Sequence, residues 1–415
     1  MNTDRSTIAN KLNVSGRLAS TGIIISHTLQ HLYGQGFYVI LPVIYTSQGL
    51  TPVATGFIGT IRQVISGTFS LAGGFILDKF QSKRVLVLFL SLTFMGLGYL
   101  LVGVSPSYTL ILFSIGLAGA AGSVWHPAAL GLLSQRYPER RGFMLALHRS
   151  SGNLGDVVGP LLTGALLLMF VWQQILYGAF PMAILMAVLL WITLRQAGDW
   201  QLISDHTESN RSLREQFIAL KEAVKNKELI LLLLVSGISG LGQGSIMLWL
   251  PIYLQETQGM GSLGIGVHLG LLSGAGIASV PIIGTLSDKI GRNRVIFLVL
   301  LAQAIIALLM ALTKSGIALT ILVGFMGAFL FALNPLVQAG SLDITEGKRL
   351  EGSMIGLLWG SNAAFSGASP LIVGLLITSQ GYGVLFWYVA IIKTLASIMA
   401  VILMTNSKRT LPSPP

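Results

Sequence analysis

The chain has 415 residues, of which 53% are hydrophobic and only 10% charged; a soluble domain carries about 25% charged residues, so this chain cannot dress a water-facing surface and must offer apolar surface to lipid. Its formal net charge of +11 would suit a nucleic-acid partner only if the basic residues shared one folded face; they sit instead in short loops between apolar runs, which excludes that partner. The absence of Cys excludes disulfides and thiolate metal sites.

In chain order, Met1 to Leu18 is polar and carries Arg5, Lys11 and Arg17. The apolar run that follows is too long for a signal-peptide core and has no clear cleavage site, so it is predicted as a membrane span. A spanning helix needs about 20 mainly apolar residues, and the first six such runs cover 19–44, 54–77, 84–104, 108–132, 142–168 and 172–194. The first carries His27 and His31, four apart and so on one helix face. The second carries Arg62, the fourth His126, and the fifth His148, Arg149 and Asp156. Asp78 and Lys79 follow the second span. In the longer connection from Arg195 to Lys227, Leu213, Phe217, Leu220 and Val224 recur at helical spacing, with Arg214, Glu215, Lys221, Glu222 and Lys225 elsewhere. That pattern predicts an amphipathic linker helix. The second six runs cover 228–254, 263–286, 294–313, 317–340, 352–377 and 382–404. Asp288, Lys289 and Arg292 follow the eighth span, which carries His268 near its other end; Lys393 lies in the twelfth. The predicted domains are a six-helix bundle at 1–194, a linker at 195–227 and a second six-helix bundle at 228–415.

The loops alternate in charge. All but four of the 26 Lys and Arg lie at the termini, in every second loop, or in the helix ends bordering those loops; the four are Arg62, Arg149, Lys314 and Lys393. The positive-inside rule then places both termini in the cytoplasm of a multi-pass cell-membrane protein, the inner membrane if the cell is bacterial.

The two sets of spans are copies. Gly74-x-x-x-Asp78-Lys79 recurs as Gly284-x-x-x-Asp288-Lys289, Gln48-Gly49 as Gln258-Gly259, and Pro160-x-x-x-Gly164 as Pro370-x-x-x-Gly374, all 210 positions apart. Gly34-Gln35-Gly36 recurs as Gly242-Gln243-Gly244, at 208. The predicted fold is an all-α membrane protein of twelve helices in two parallel six-helix halves. Transporters built this way bind substrate near the midplane between the halves and rock one half against the other.

The run Gly284-Thr-Leu-Ser-Asp288-Lys289-Ile-Gly291-Arg292-Asn-Arg294 resembles the loop signature of the major facilitator superfamily, with a weaker copy from Gly74 to Arg84 in which Gln81 stands where Gly is usual. On the fifth span, Gly155-x-x-x-Gly159-Pro160-x-x-Thr163-Gly164 is similar to the Gly-Pro signature of the drug–proton antiporter branch. His27, Tyr33, Gly36 and Pro42, Trp125-His126-Pro127, and Gly152-Asn153-Leu-Gly155 resemble its fosmidomycin-resistance-type subgroup. That resemblance implies export of drugs and small organic compounds, protons as the coupling ion, and Asp78, Lys79, Asp288, Lys289 and Arg292 as a cytoplasmic gate. Two residues depart from it. His31 stands where the subgroup often has an acid, and Ser114 to Gly122 lacks the Arg that many proton-coupled members carry.

Ionisable residues inside spans are costly and by default point to function. Counted by helix rise from the basic end, His126, Arg149 and His27 lie at about 9–12 Å and His31, Asp156 and Arg62 at about 18–22 Å. These six are the candidate substrate and coupling residues, a cationic layer below a mixed one. Asp156 is the one acid deep within a span and the expected coupling acid, with His31 or Arg62 as partner. The aromatic residues Tyr33, Phe37, Trp125, Trp249 and Trp359 either line an amphipathic substrate's path or simply pack. His27 and His31 have metal-ligand spacing, but no nearby Glu accompanies them. No metal or cofactor is therefore expected, nor any catalytic site, since no hydrolase elbow, zinc-protease or nucleotide motif is present. The expected partners are a small-molecule substrate, protons and the bilayer, with the chain a monomer. Proton-coupled efflux leads; uptake of an organic anion by symport and a non-transporting receptor are the alternatives.

Overall fold

Inside lipid every backbone N–H and C=O has to be satisfied within its own segment, which leaves the helix as the form for each apolar run. The computed structural model describes residues 2–79, 81–196, 218, 221–222, 225–313, 315–344 and 351–410. The helices of the first half are α1 (Asn2–Ser47), α2 (Pro52–Lys79), α3 (Arg84–Gly103), α4 (Tyr108–Arg136), α5 (Arg141–Leu166) and α6 (Trp172–Gln196). Those of the second half are α7 (Lys227–Glu256), α8 (Ser262–Ile290), α9 (Arg292–Leu312), α10, α11 (Glu351–Gln380) and α12 (Val384–Thr410). α10 runs Ile317–Leu330 and, past a turn at Phe331 and Ala332, Leu333–Ile344. Each predicted span falls on one of these helices. Large apolar side chains such as Phe113, Leu185, Ile282, Leu312 and Ile391 stay exposed on the outside of the bundle, as lipid requires.

Among the described residues, nine helices meet the length and hydropathy of a membrane span on composition alone. α1, α2 and α5 are not among them, and these are the helices that carry His27, His31, Arg62, His148, Arg149 and Asp156. α1 begins at Asn2, well before its apolar run. At the start of that run Ser20 donates to the Tyr137 hydroxyl at 3.0 Å. The expected linker helix lies almost wholly outside the described residues, as does Lys314; Ile218, Lys221 and Glu222 are helical, and Lys225 pairs with Glu222 at 2.6 Å.

The two copies of the loop signature differ for a backbone reason. Gly291 joins α8 to α9 at φ +97°, a conformation open to glycine and strained for other residues. Gln81 cannot follow it there, and the first copy turns instead through a short 3₁₀ helix, Gln81–Lys83.

The packing repeats with the sequence. In the first half α1 packs on α5 and α6, α2 on α4, and α3 on α4 and α6; in the second, α7 packs on α11 and α12, α8 on α10, and α9 on α10 and α12. The halves meet through α2 against α11 and α5 against α8, two contacts that the repeat turns into one another. The α2–α11 seam is lined by small residues, from Gly374 beside Pro52 and Gly56 beside Pro370 to Gly67 beside Ala363 and Gly360 beside Leu71. The α5–α8 contact is shorter. It runs from Gly164 against Ser262 to Gly274 against Val157, while Gly284, nearer the basic loops, faces open space.

At the end away from the basic loops, hydrogen bonds close the two halves together. Gln255 donates to the Pro42 carbonyl at 3.1 Å and to Thr46 at 2.6 Å, and Tyr45 and Tyr382 share a bond of 2.7 Å.

Candidate functional site

The site begins with missing side chains. A Cβ on Gly155 would lie 2.3 Å from the Thr28 carbonyl oxygen, and one on Gly159 2.6 Å from that of Leu32. Without them α5 crosses α1 backbone to backbone, as small residues permit in membrane bundles. The same stretch binds the other half, since a Cβ on Gly164 would meet Ser262 and one on Gly266 the Pro160 carbonyl. The Gly-Pro signature of α5 thus shapes two faces of one helix.

The close crossing brings the polar residues of α1 and α5 together. His31 Nδ1 lies 2.7 Å from Asp156 Oδ1. Asp156 is buried and His31 half-buried, so the pair is only partly open to solvent. One turn nearer the basic end, His27 is 1% exposed and its Nδ1 donates to the His148 carbonyl oxygen at 2.7 Å. A carbonyl only accepts, so Nδ1 carries the proton, and Nε2, which has no partner, presents its lone pair when the ring is neutral. The His27 ring stacks on His148 at 3.8 Å between centroids and on Trp125 at 5.1 Å. His126 stands edge-on to His27 at 5.1 Å and is half-buried. Gly152 makes room for this stack, because a Cβ there would meet His27 Cε1 at 2.5 Å.

The six predicted site residues do not all meet. His27, His31, His126 and Asp156 form one cluster. Arg149 is exposed and follows His148 directly on α5. Arg62 turns elsewhere: it donates to the Gly34 carbonyl at 3.0 Å and its guanidinium lies 4.7 Å from the Tyr38 ring centre and 5.5 Å from that of Phe37. Of the two expected partners of Asp156, His31 is therefore the one in contact. His148, left outside the predicted site, lies at its centre.

The aromatic residues mostly pack. Tyr33 donates to the Ala179 carbonyl at 2.8 Å, and Trp249 to that of Pro370 at 3.0 Å. Phe37 is buried beside Tyr99. His268 is satisfied by Gly264 and Thr320 at 2.8 and 2.9 Å.

At the basic end, Asp288 and Lys289 are exposed. Arg292 reaches Asp288 at 3.4 Å and Asp343, at the end of α10, at 2.5 Å. These contacts stay within the second half, and Asp343 is a member that the loop motif does not reveal. Asp78 and Lys79 end α2; their side chains lie outside the described residues, as does that of Trp359.

The second half offers a different surface. A cavity of about 220 Å³ is lined by Ser236, Asn334, Val337, Gln338, Leu358 and Asn362, and Asn362 donates to the Ser236 carbonyl at 3.2 Å. These groups are neutral, so counting charges in spans passes over them; the Asn334-Pro335 step, just beyond the break in α10, is the signal that could have found it.

Three kinds of likeness bear on this arrangement. The model of the Major Facilitator Superfamily matches residues 23–339 and 277–415. The fosmidomycin resistance protein of Escherichia coli (strain K12) is 24% identical over 360 residues, 85% of each chain. The multidrug resistance protein MdtG of Yersinia enterocolitica is 26% identical over 360 residues, 81% of this chain and 80% of that one. A bacterial homolog of the human lysosomal transporter Spinster, solved inward-facing and unoccupied, superposes with a TM-score of 0.77 at 14% identity, covering 97% of this chain and 99% of that one. With the family model spanning almost all twelve helices and the fold repeating as a pair of six-helix halves, the chain belongs to the Major Facilitator Superfamily, a family of membrane transporters rather than enzymes.

Proposed function

We propose that this secondary transporter exports a small amphipathic organic compound, by preference an anion, in exchange for protons, with Asp156 as the coupling acid. The observation that carries the reading is the Asp156–His31 contact at 2.7 Å, in which the carboxylate residue is buried and the histidine half-buried. A carboxylate at membrane depth has to be paired or protonated. A proton arriving on Asp156 would loosen the pair, and its departure would remake it, so the α1–α5 crossing carries a two-position element. The groups facing it are His31 and His27 on α1 and His126 on α4, with His148 and Arg149 on α5 itself.

The basic end is taken as cytoplasmic on the charge of its loops. The hydrogen-bonded closure around Gln255 then lies outside, and the neutral cavity of the second half lies nearer the cytoplasmic ends of its helices, where an exporter loads. Exposed Arg149 suits an anionic group, and the amides of the second-half cavity suit a polar remainder. Relatives named for fosmidomycin and multidrug resistance support export over uptake.

Asp156→Asn keeps the size of the side chain and removes its titration. In proteoliposomes the variant should lose accumulation driven by a pH gradient while retaining substrate exchange at equal pH, with fosmidomycin as the anionic probe. Gradient-driven accumulation at the wild-type rate would sink the coupling role. Arg149→Gln should weaken the anionic probe by on the order of tenfold, about 1.4 kcal/mol, and leave a neutral lipophilic dye unchanged; equal loss for both makes Arg149 structural.

A further inference from the structure

His27, His126 and His148 each bring one ring nitrogen to a common place, all within 4.8 Å of one another. We propose that this trio binds a divalent transition-metal ion of the class that favours imidazole, Zn²⁺ foremost. The inference reverses the expectation of no metal drawn from the chain, because His27 and His31, which have the familiar spacing, are not the pair that converges.

Each ligand is prepared differently. The Nδ1–H of His27 is spent on the His148 carbonyl at 2.7 Å, the outer contact that metal-binding histidines usually make, and it leaves Nε2 as the donor atom. That Nε2 is buried and without a partner, as is Nδ1 of His148. Both residues are more than nine-tenths buried, so neither atom can turn to bulk water. His126 is half-buried and gives the ion its way in. Three neutral imidazoles and one open position are the ligand set of zinc sites that keep a place for water or another ligand.

The rings have to move a little. Tetrahedral bonds of about 2.0–2.1 Å place donors about 3.4 Å apart, so a spread of 4.8 Å must close by about 1.4 Å. His27 and His148 are stacked with planes 6° apart, and in-plane lone pairs of parallel rings do not meet. One ring must turn about its Cβ–Cγ bond. His27 is held by its hydrogen bond and by its seat over Gly152, so His148, whose Nδ1 has no partner, is the one to turn. The charge of Arg149 opposes a cation at the trio, so the site should bind more tightly when that charge is removed.

The test uses purified, tag-free full-length protein in detergent, with Co²⁺ as a coloured probe displaced by Zn²⁺. One ion per chain with the visible bands of tetrahedral Co²⁺ is the expected result. His27→Ala, His148→Ala and His126→Gln should each weaken binding at least tenfold, His268→Ala should not, and Arg149→Gln should strengthen it. Thermal unfolding of each variant separates lost ligands from lost fold, and half-buried His126→Gln is the variant that keeps the packing intact. Less than a tenth of an ion per chain in the wild type, or wild-type affinity in folded His126→Gln, overturns the site. Neither outcome touches the coupling role of Asp156, which is read by transport.

Discussion

An ammonium sealed inside a helical bundle has to find its hydrogen bonds there, since water and headgroups are both out of reach. Lys393 does this. It is 1% exposed, and its Nζ donates to the Ser239 carbonyl and hydroxyl at 2.9 and 2.6 Å. Among the described residues it neither reaches the membrane surface nor meets an acid. Its stem fills the space that Gly242 leaves, where a Cβ would lie 2.8 Å from Lys393 Cε. If packing is what this residue supplies, Lys393→Met should unfold at the wild-type temperature or slightly above it. Lys393→Ala, which empties the space, should cost about 2–5 kcal/mol. Thermal denaturation in detergent decides it: equal losses in the two variants would show that the ammonium, not the stem, holds α7 to α12. The same reasoning explains what residue-by-residue reading missed. Arg62 and Asp156 have similar estimated depth, but depth alone does not say which way a side chain turns. Arg62 faces Gly34 and Tyr38, and Asp156 faces His31.

At the scale of elements, the α1–α5 crossing was half legible. Gly155, Gly159 and Pro160 stand out in the chain, and so do the histidines of α1. That the glycines exist to bring those histidines to α5 appears only when the helices are placed, because contact between Thr28 and Gly155 joins positions far apart in sequence. The neutral cavity between α7, α10 and α11 was legible only in the Asn334-Pro335 step, since Asn and Gln amides in an apolar run carry no charge to flag them. Gly155→Val tests the crossing. Its Cβ would face backbone of α1 at 2.3 Å, which cannot swing aside as a side chain can. Overpacking of this kind costs about 1–3 kcal/mol or more, and the His31–Asp156 distance should widen with it. The expected result is a lower unfolding temperature together with lost gradient-driven transport. A variant as stable and active as the wild type would mean that the two backbones do not approach this closely.

At the scale of the molecule, twelve spans and their repeat could be read from loop charge and the 210-residue offset, because lipid allows so few alternatives to a helix. The unequal seams between the halves could not. The close glycine contacts of α2 with α11 run from Pro52 to Leu71, whereas those of α5 with α8 run only from Val157 to Gly164. The polar character of α5 reaches beyond the finished bundle to its assembly. An Arg or Asp at the centre of a helix opposes entry into lipid by about 2.5–3.5 kcal/mol on translocon scales, and α5 carries both, with His148 beside them. Alone, this helix has little reason to leave the translocon sideways. α1 emerges earlier and holds the histidine that Asp156 meets, so it would have to wait at the exit until α5 arrives and then partition with it. In a glycosylation-mapping assay α5 by itself should insert in a minority of chains, and the preceding helices should raise that fraction several-fold unless His31→Ala is introduced. Efficient insertion of isolated α5 would show instead that the lipid accepts its charges unaided, and that the pairing with α1 is made only after synthesis is complete.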